Sequence, residues 1–269
     1  MIATFKERYG PWALVTGASS GIGAEFAVQL AEAGLNLILA ARRKPRLDRL
    51  AQQLEEKNKI QVRAVRADLS RPGFLADILA ASRSVEVGLL VNNAGFGLAG
   101  NFLDHDMEKE AALLDVNCRA PLILTHEFGR KMAQRKRGGI IFVSSVSAYL
   151  ATPFEATYAA SKAYELFLAE SLRYELKREG VDVLALCPGV TSTEFHEVAG
   201  MKAVAAMPVG PVVAAGLKKL GKKSSVVTGW HNRALVAFLK FAPRWTATVQ
   251  AGRVMEGLVF KRGDGRPME

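Results

Sequence analysis

The sequence predicts one α/β domain: a doubly wound, mostly parallel sheet of the Rossmann type with helices on both faces. Short apolar runs alternate with longer segments of helical periodicity, and no repeat or low-complexity segment interrupts them. The chain has 269 residues, 49% of them hydrophobic and 23% charged, a composition typical of a globular protein with a large core. These observations indicate that residues 1–269 form a single domain.

The elements are predicted from the period of the apolar residues. Apolar runs of four to eight residues indicate buried strands, at Trp12–Thr16, Leu35–Ala40, Ile60–Ala67, Gly88–Val91, Ile140–Ser144, Val181–Cys187 and Ser225–Gly229. Apolar residues three and four apart indicate helices, at Ile22–Ala33, Pro45–Lys57, Phe74–Ser82, Asp106–Arg135, Thr157–Glu179 and Ala234–Phe241. The alternating pattern of Ile60–Ala67 is typical of an edge strand, and the continuous run Gly88–Val91 of a central one.

A glycine-rich segment, Thr16–Gly23, joins the first strand to the first helix. Ligands of doubly wound sheets bind beyond the carboxyl ends of the strands, where such glycines let backbone amides approach a pyrophosphate. A tight turn without a ligand is the alternative, but the strand and helix on either side favour a dinucleotide site. The residues predicted to bind the cofactor here are Gly17, Ser19, Ser20, Gly21, Ile22 and Gly23.

The turn after the second strand carries three cations, Arg42, Arg43 and Lys44, and no acid. A site that prefers NAD usually has an acid here to hold the ribose 2′-hydroxyl, whereas cations favour a 2′-phosphate. A solvated basic turn is the alternative. Because a bound adenosine ribose would lie at this turn, we predict NADP(H), with Arg42 and Arg43 as its ligands.

A tyrosine and a lysine four residues apart, Tyr158 and Lys162, follow the fifth strand and its Ser144-Ser145 pair. They share one face of a helix, so their polar ends can converge. A phenol titrates at about pH 10, and one ammonium at about 4 Å offers about 4 kcal/mol, enough to lower that pKa by roughly 3 units. We therefore expect Lys162 to lower the pKa of Tyr158. Ser145 and Ser144 are alternative contacts for the substrate oxygen, and the thirteen-residue spacing to Tyr158 favours Ser145.

Jointly, these motifs resemble the short-chain dehydrogenases/reductases over about residues 10–195. The resemblance also includes Asn92–Gly95 after the fourth strand, Asn117 in the following helix, and Pro188-Gly189 after the sixth strand. It implies that Tyr158 exchanges a proton with the substrate oxygen, Lys162 also holds the nicotinamide ribose, Ser145 polarises the carbonyl, and Asn117 holds a relay water. It further implies cofactor contacts at Asp68, Leu69, Asn93, Ala94, Gly95, Asn117, Tyr158, Lys162, Pro188, Gly189, Thr191 and Thr193.

The last third departs from the common family pattern. Trp230-His231-Asn232-Arg233 follows the last strand, where many tetrameric members have a short glycine-rich end, so tetramer formation by that packing is in doubt and a homodimer is the alternative. Residues 195–269 are predicted to form a substrate lobe and a basic helical region. From His196 onward, 12 lysines and arginines face four acids. We predict either a plain solvated surface or peripheral contact with an anionic membrane or carrier.

The predicted protein is an NADP(H)-dependent oxidoreductase that transfers a hydride between nicotinamide and a carbonyl or secondary alcohol. A 3-oxoacyl thioester reductase and a hydroxysteroid dehydrogenase are specific alternatives, and a non-catalytic NADP(H)-binding sensor is an alternative of another class. Isolated Cys118 and Cys187 argue against a metal site, and no recognition motif suggests nucleic-acid binding. Without a basic start and long apolar core at the N-terminus, we expect a cytoplasmic location.

Overall fold

The computed structural model describes residues 4–195, 199 and 206–260. Seven parallel strands form one sheet in the order β3-β2-β1-β4-β5-β6-β7. The strands are β1 (Trp12–Thr16), β2 (Asn36–Ala41), β3 (Val62–Arg66), β4 (Val87–Asn92), β5 (Gly138–Val143), β6 (Val181–Cys187) and β7 (Ser225–Val227). The predicted doubly wound sheet is confirmed, with β3 at an edge and β4 in the centre.

Ten α-helices accompany the sheet in the described residues. They are α1 (Phe5–Tyr9), α2 (Gly21–Glu32), α3 (Lys44–Asn58), α4 (Phe74–Ser82), α5 (Met107–Leu114), α6 (Ala120–Gln134), α7 (Ala156–Lys177), α8 (Val209–Lys219), α9 (Trp230–Leu239) and α10 (Arg244–Val259). The predicted helix Asp106–Arg135 is interrupted, because a π-helical turn at Asp115–Arg119 separates α5 from α6. The predicted helix ranges do not include α1, α8 or α10.

Two apolar cores lie on opposite faces of the sheet. On one face, Phe26 of α2, Leu47 of α3 and Val212 of α8 are buried against the strands. On the other face, Phe128 of α6 and Leu166 of α7 are buried. Strand order reverses between β1 and β4, so a crevice opens beyond the carboxyl ends of these two strands. This crevice is where a doubly wound sheet binds its ligand.

The predicted substrate lobe, residues 195–269, is only partly within the described residues. Residues 196–198, 200–205 and 261–269 lie outside them, including most of the Phe195–Pro211 segment expected to cover the substrate. Within the ranges described, none of the helices combines the length and the apolar character needed to cross a bilayer. The same ranges contain no cluster of three histidine, cysteine or acidic residues that could hold a metal ion.

Candidate active site

A cavity of about 1070 Å³ lies beyond the carboxyl ends of the central strands. It brings together residues that follow β1, β2, β3, β4, β5 and β6, together with the start of α7. The predicted site residues in its lining are Gly17, Ser19, Ser20, Gly21, Ile22, Arg42, Arg43, Asp68, Leu69, Asn93, Ala94, Gly95, Ser145, Tyr158, Lys162, Pro188, Gly189, Thr191 and Thr193. Gly23 and Asn117 were also predicted, but they lie behind the cavity wall.

The glycine-rich turn forms a tight cradle between β1 and α2. Gly17 has a φ of +66°, and a Cβ atom there would lie 2.8 Å from the Cα of Ala94. A Cβ at Gly23 would lie 2.4 Å from the carbonyl oxygen of Gly17, which explains why this glycine supports the turn from behind. The Asn93 side chain donates a hydrogen bond to the Thr16 carbonyl at 2.8 Å. Only glycine fits these positions, and the turn leaves room for a ligand against its backbone.

The basic turn after β2 reaches back to this cradle. The Arg43 guanidinium donates hydrogen bonds to the hydroxyls of Ser19, at 3.1 Å, and Ser20, at 2.6 Å. It also pairs with Glu194, 151 residues away, at 2.7 Å. Hydrogen bonds from Arg43 and Arg46 lower the pKa of Glu194 to about 2. Arg43 therefore already binds an anionic group at the place where a 2′-phosphate was predicted.

Asp68, after β3, lies close enough to Arg42, the first cation of the turn after β2, to feel its charge. Burial opposes ionisation of its carboxyl, but hydrogen bonds from Ser70 and the charges of Arg42 and Arg71 outweigh burial and lower the pKa of Asp68. Asp68 is thus an anionic acceptor on the cavity wall. Its predicted contact with adenine stays a prediction.

The structure distinguishes the two serines after β5. The Ser144 hydroxyl donates to the backbone carbonyl of Lys162 at 2.7 Å, so this hydroxyl is engaged in a contact with α7. The Ser145 hydroxyl instead accepts from the Ser147 amide at 3.1 Å, and it interacts with the Tyr158 phenol in a way that favours the ionised phenol. Both Ser145 and Tyr158 are more than nine-tenths buried and line the cavity. The geometry therefore favours Ser145 over Ser144 as the partner of Tyr158.

The expected lowering of the tyrosine pKa was wrong for the structure described. Burial raises the pKa of Tyr158 above the usual range for a phenol, and the carboxylates of Glu155 and Glu165 raise it further, while Ser145 opposes them. The Lys162 Nζ lies 5.8 Å from the centre of the Tyr158 ring. It donates at 2.9 Å to the Val143 carbonyl and to Glu165 Oε2. Because these two acceptors hold the Lys162 ammonium, it does not offset the effect of burial. Desolvation of the phenol is therefore the largest contribution to the Tyr158 pKa.

Asn117 lies within the π-helical turn and is fully buried. Its side-chain amide donates to the Phe96 carbonyl and to the Ser161 hydroxyl, each at 3.0 Å, and its Oδ1 accepts from the Phe96 amide at 3.2 Å. A Cβ at Gly95 would lie within 3.2 Å of both Asn117 Oδ1 and Lys162 Nζ. Gly95 therefore keeps a small space between these two side chains, the place where the predicted relay water would lie.

The segment after β6 closes the cavity from the opposite side. The Thr191 hydroxyl donates to the Gly189 carbonyl at 2.9 Å, and the Thr193 hydroxyl accepts from the Phe195 amide at 3.2 Å. Phe195 in turn packs on the ring of Tyr158, with 5.2 Å between ring centres. The segment thus contacts both sides of the cavity, because Thr193 lies against Gly21 of the glycine-rich turn and Phe195 lies against Tyr158.

Comparison with known proteins agrees with this geometry. Residues 11–202 match the family described as short chain dehydrogenase. The chain belongs to this family. A 7β-hydroxysteroid dehydrogenase of Clostridium sardiniense is 34% identical over 233 residues, which are 85% of this chain and 89% of that protein. A very-long-chain 3-oxoacyl-CoA reductase of Neurospora crassa is 32% identical over 85% of this chain and 71% of its own.

A solved short-chain dehydrogenase from Sphingobium yanoikuyae, in complex with NADPH, has a similar fold. It has a TM-score of 0.79 and 33% identity over 95% of this chain and 98% of its own. The family resemblance, the fold class and the interpretation as an oxidoreductase are confirmed. The roles of the individual site residues stay predictions, supported by the positions just described.

Two acidic residues of this short-chain dehydrogenase were missed by the sequence analysis. Glu155 and Glu165 both belong to α7 or its N-cap, both are more than nine-tenths buried, and both act on Tyr158. Burial raises the pKa of Glu165 to about 7 despite the opposing charge of Lys162. The available signal was their helical spacing: Glu155 is three residues before Tyr158, and Glu165 three after Lys162. Both positions therefore share the buried face of the tyrosine and the lysine.

Replacing Glu165 is expected to shift the pH dependence of catalysis. The Glu165→Gln variant removes a negative charge that raises the Tyr158 pKa and releases Lys162 from an ion pair. In alcohol oxidation, where the phenolate must accept the proton, the rising limb of the kcat/KM profile should move to lower pH by roughly one unit.

Glu170→Gln provides the matched control for this shift. Glu170 is on the same helix, but its carboxylate accepts from the Ser225 hydroxyl at 2.6 Å, and Tyr158 is not among its partners. Its profile should stay as in the wild type. An unchanged profile in Glu165→Gln, or a shift to higher pH, would contradict the electrostatic role of Glu165.

Proposed function

We propose that this chain is an NADP(H)-dependent dehydrogenase/reductase of a bulky, mostly apolar secondary alcohol or ketone of the hydroxysteroid class. The observation that carries the proposal is the apolar part of the wall of the cavity that Tyr158 also lines. Apolar residues of α9 and α10 form this wall: Leu235, Phe238, Leu239, Val254, Met255 and Leu258. A large, mostly apolar chamber whose lining includes a buried phenol fits a rigid apolar skeleton carrying one reacting oxygen.

The residues of this chain are suited to bind NADP(H). The glycine turn offers close backbone approach to a pyrophosphate, and Arg42 and Arg43 offer charge to a 2′-phosphate. NADP(H) supplies the hydride chemistry when bound. The NADPH complex of the Sphingobium yanoikuyae relative supports this cofactor.

Tyr158 moves the proton. Because its pKa is raised, the phenol is protonated at neutral pH and can donate to a carbonyl oxygen as negative charge develops there. The Ser145 hydroxyl, which lines the same cavity and interacts with this phenol, is placed to polarise that carbonyl. Lys162 and Asn117, adjacent at Gly95, would pass the replacement proton inward. Reduction is accordingly favoured at neutral pH and alcohol oxidation at alkaline pH.

A second candidate is reduction of a long-chain 3-oxoacyl thioester. Two exposed aromatic residues favour this candidate. Phe238 and Phe241 line the cavity, although they are 67% and 87% exposed, so they mark a place where it opens to solvent. A long chain could leave the cavity across these rings, and Lys218 and Lys219, in the last turn of α8, supply positive charge to the surface. The Neurospora crassa relative is a reductase of this kind. The hydroxysteroid class is preferred because the Clostridium sardiniense relative matches over more of its own length.

A substrate screen separates these candidates. NADPH oxidation should be followed by absorbance with keto-steroids, 3-oxoacyl thioesters and small ketones at equal concentrations. We expect kcat/KM for the best keto-steroid to exceed that for a small ketone by at least about 100-fold, because the skeleton buries apolar surface in the chamber. Preference for the thioester would select the second candidate, and equal rates with small ketones would contradict both.

Other partners stay at the level of prediction. The reacting partner is a small molecule, as in the family. We propose that the protein forms a homodimer or homotetramer, and that α9 and its basic neighbours contact an anionic membrane peripherally. We also propose that it binds no nucleic acid and is located in the cytoplasm. The exposed rings of Trp230, Phe241 and Trp245, at 75%, 87% and 78%, are the surface on which a partner subunit or a membrane would rest.

A further inference from the structure

An acidic side chain lines the apolar chamber close to the phenol. Glu155 occupies the N-cap position of α7 and makes no capping hydrogen bond. It is 6% exposed and contributes to the cavity wall. Among the described residues, no donor reaches its Oε1. Buried carboxyl groups are normally hydrogen-bonded, so the carboxyl of this cavity-lining residue retains an unused capacity to accept a hydrogen bond.

The backbone before Glu155 is held in an uncommon conformation. Phe154 has a φ of +65°, in the left-handed region that residues with a Cβ rarely adopt. Its ring packs edge-to-face on Phe260 with 5.1 Å between centres, and its carbonyl accepts from the Gly100 amide at 2.9 Å. These two contacts fix the turn that directs the chain into α7 at Glu155. Such strain persists where the surroundings hold it, commonly at functional sites.

The surroundings of Glu155 indicate which kind of ligand group would hydrogen-bond its carboxyl. Burial raises the pKa of Glu155 to about 7, and no cation contributes to the shift. The neighbouring wall from α10 is apolar, at Met255 and Leu258. In either protonation state the carboxyl retains an oxygen that accepts a hydrogen bond. A neutral hydroxyl satisfies it without bringing a new charge into the chamber.

We propose that Glu155 is a specificity-determining residue that accepts a hydrogen bond from a second hydroxyl group of the substrate. The inference rests on the proposed function, since it assigns one polar contact within the chamber proposed for the steroid skeleton. A site built to bind a hydroxyl rejects the analogue that lacks it, because the buried acceptor is then left unpaired. Glu155 would thus select among ketones that are otherwise alike in size and shape.

Paired substrates test this role. Keto-steroids that carry one further hydroxyl at different ring positions are each compared with the deoxy analogue. For the wild type, we expect at least one hydroxylated member to exceed its deoxy partner in kcat/KM by roughly 10- to 100-fold. Glu155→Leu should abolish that preference: the ratio of kcat/KM for the hydroxylated ketone to that for its deoxy analogue should fall to about one, and any change through Tyr158 should affect both ketones alike.

Two further variants separate recognition from structure. Glu155→Gln keeps an acceptor oxygen and should keep part of the preference, which also covers the case in which the leucine variant fails to fold. Gln250→Leu changes another polar residue of the cavity wall, an exposed one on α10, and should leave the preference intact. The role of Glu155 is overturned if the wild type treats both members of every pair alike, or if Glu155→Leu and Glu155→Gln lower both members equally.

The outcome is separable from that of the proposed function. If the wild type reduces no keto-steroid, the proposed function has failed. The same pairing with and without a second hydroxyl is then made on the ketone that the screen selects. A preference that Glu155→Leu removes would still support the role of Glu155, and its absence would overturn that role.

Discussion

Tyr158→Phe is expected to lower kcat/KM for ketone reduction by about 10²- to 10⁴-fold while changing NADPH affinity by no more than a fewfold. The substitution removes only the phenolic oxygen, which is the proton donor and interacts with Ser145. The ring should keep its contact with Phe195. Steady-state kinetics with the best ketone of the screen, together with NADPH titration by fluorescence, measure the two quantities.

Tyr149→Phe is the control for this experiment. Tyr149 is also part-buried and lies on the 3₁₀ turn Val146–Tyr149, but its hydroxyl faces the Cys187 Sγ at 3.8 Å, away from the cavity lining. It should retain activity within a fewfold of the wild type. A Tyr158→Phe enzyme that keeps even a tenth of the wild-type rate would exclude the phenol as proton donor.

Removing the cations after β2 should reverse the cofactor preference. The wild type is expected to prefer NADPH to NADH by at least about tenfold in kcat/KM, since one charge-assisted contact contributes about 1.5–3 kcal/mol. Replacing Arg42 and Arg43 by alanine, with Ala41→Asp added at the end of β2, removes the phosphate ligands and offers the 2′-hydroxyl an acceptor. The triple variant should lose or invert the preference.

Arg46→Ala is the matched control for the cofactor experiment. Arg46 binds the same Glu194 carboxylate as Arg43, at 2.6 Å, but it is not part of the cavity lining. Its loss should leave the ratio of NADPH to NADH efficiency within a fewfold of the wild type. A wild-type enzyme that prefers NADH would refute the assignment of the basic turn.

Periodicity and motif spacing were sufficient for the fold class and the family. The strand at Trp12–Thr16, the glycine turn after it and the helical pair Tyr158 and Lys162 depend on local sequence. The turn needs glycines because backbone atoms of the segment that follows β4 approach it closely, at Ala94. Such features depend on residues that are close together in the sequence, so they could be recognised without coordinates.

The electrostatics of the site could not be predicted in the same way. The sign of the Tyr158 pKa shift depends on how deeply α7 is buried and on where the Lys162 ammonium points, and both are set by tertiary packing. Glu155 and Glu165 have the appearance of ordinary helix residues in the sequence. Their effect comes from the depth of burial, which their helical spacing suggests but does not determine.

Long-range contacts account for the remaining omissions. Arg43 meets Glu194 across 151 residues, a pairing that no spacing rule suggests. Helix α10 escaped prediction because its sequence, Arg244–Val259, mixes polar and apolar residues around the helix without a clear apolar stripe. It nevertheless supplies Met255 and Leu258 to the cavity.

Transfer of isotopic label most directly tests the central claim, that this chain moves a hydride between NADP(H) and a bulky ketone with Tyr158 as proton donor. The best ketone of the screen is reduced with NADPH that carries deuterium at nicotinamide C4, in separate reactions for each face of the ring, and the alcohol is analysed by mass spectrometry and NMR. The account predicts deuterium at the former carbonyl carbon from one face only, at a rate that Tyr158→Phe lowers by about 10²- to 10⁴-fold. An alcohol without label from either face, or equal labelling rates in the wild type and the variant, would contradict it.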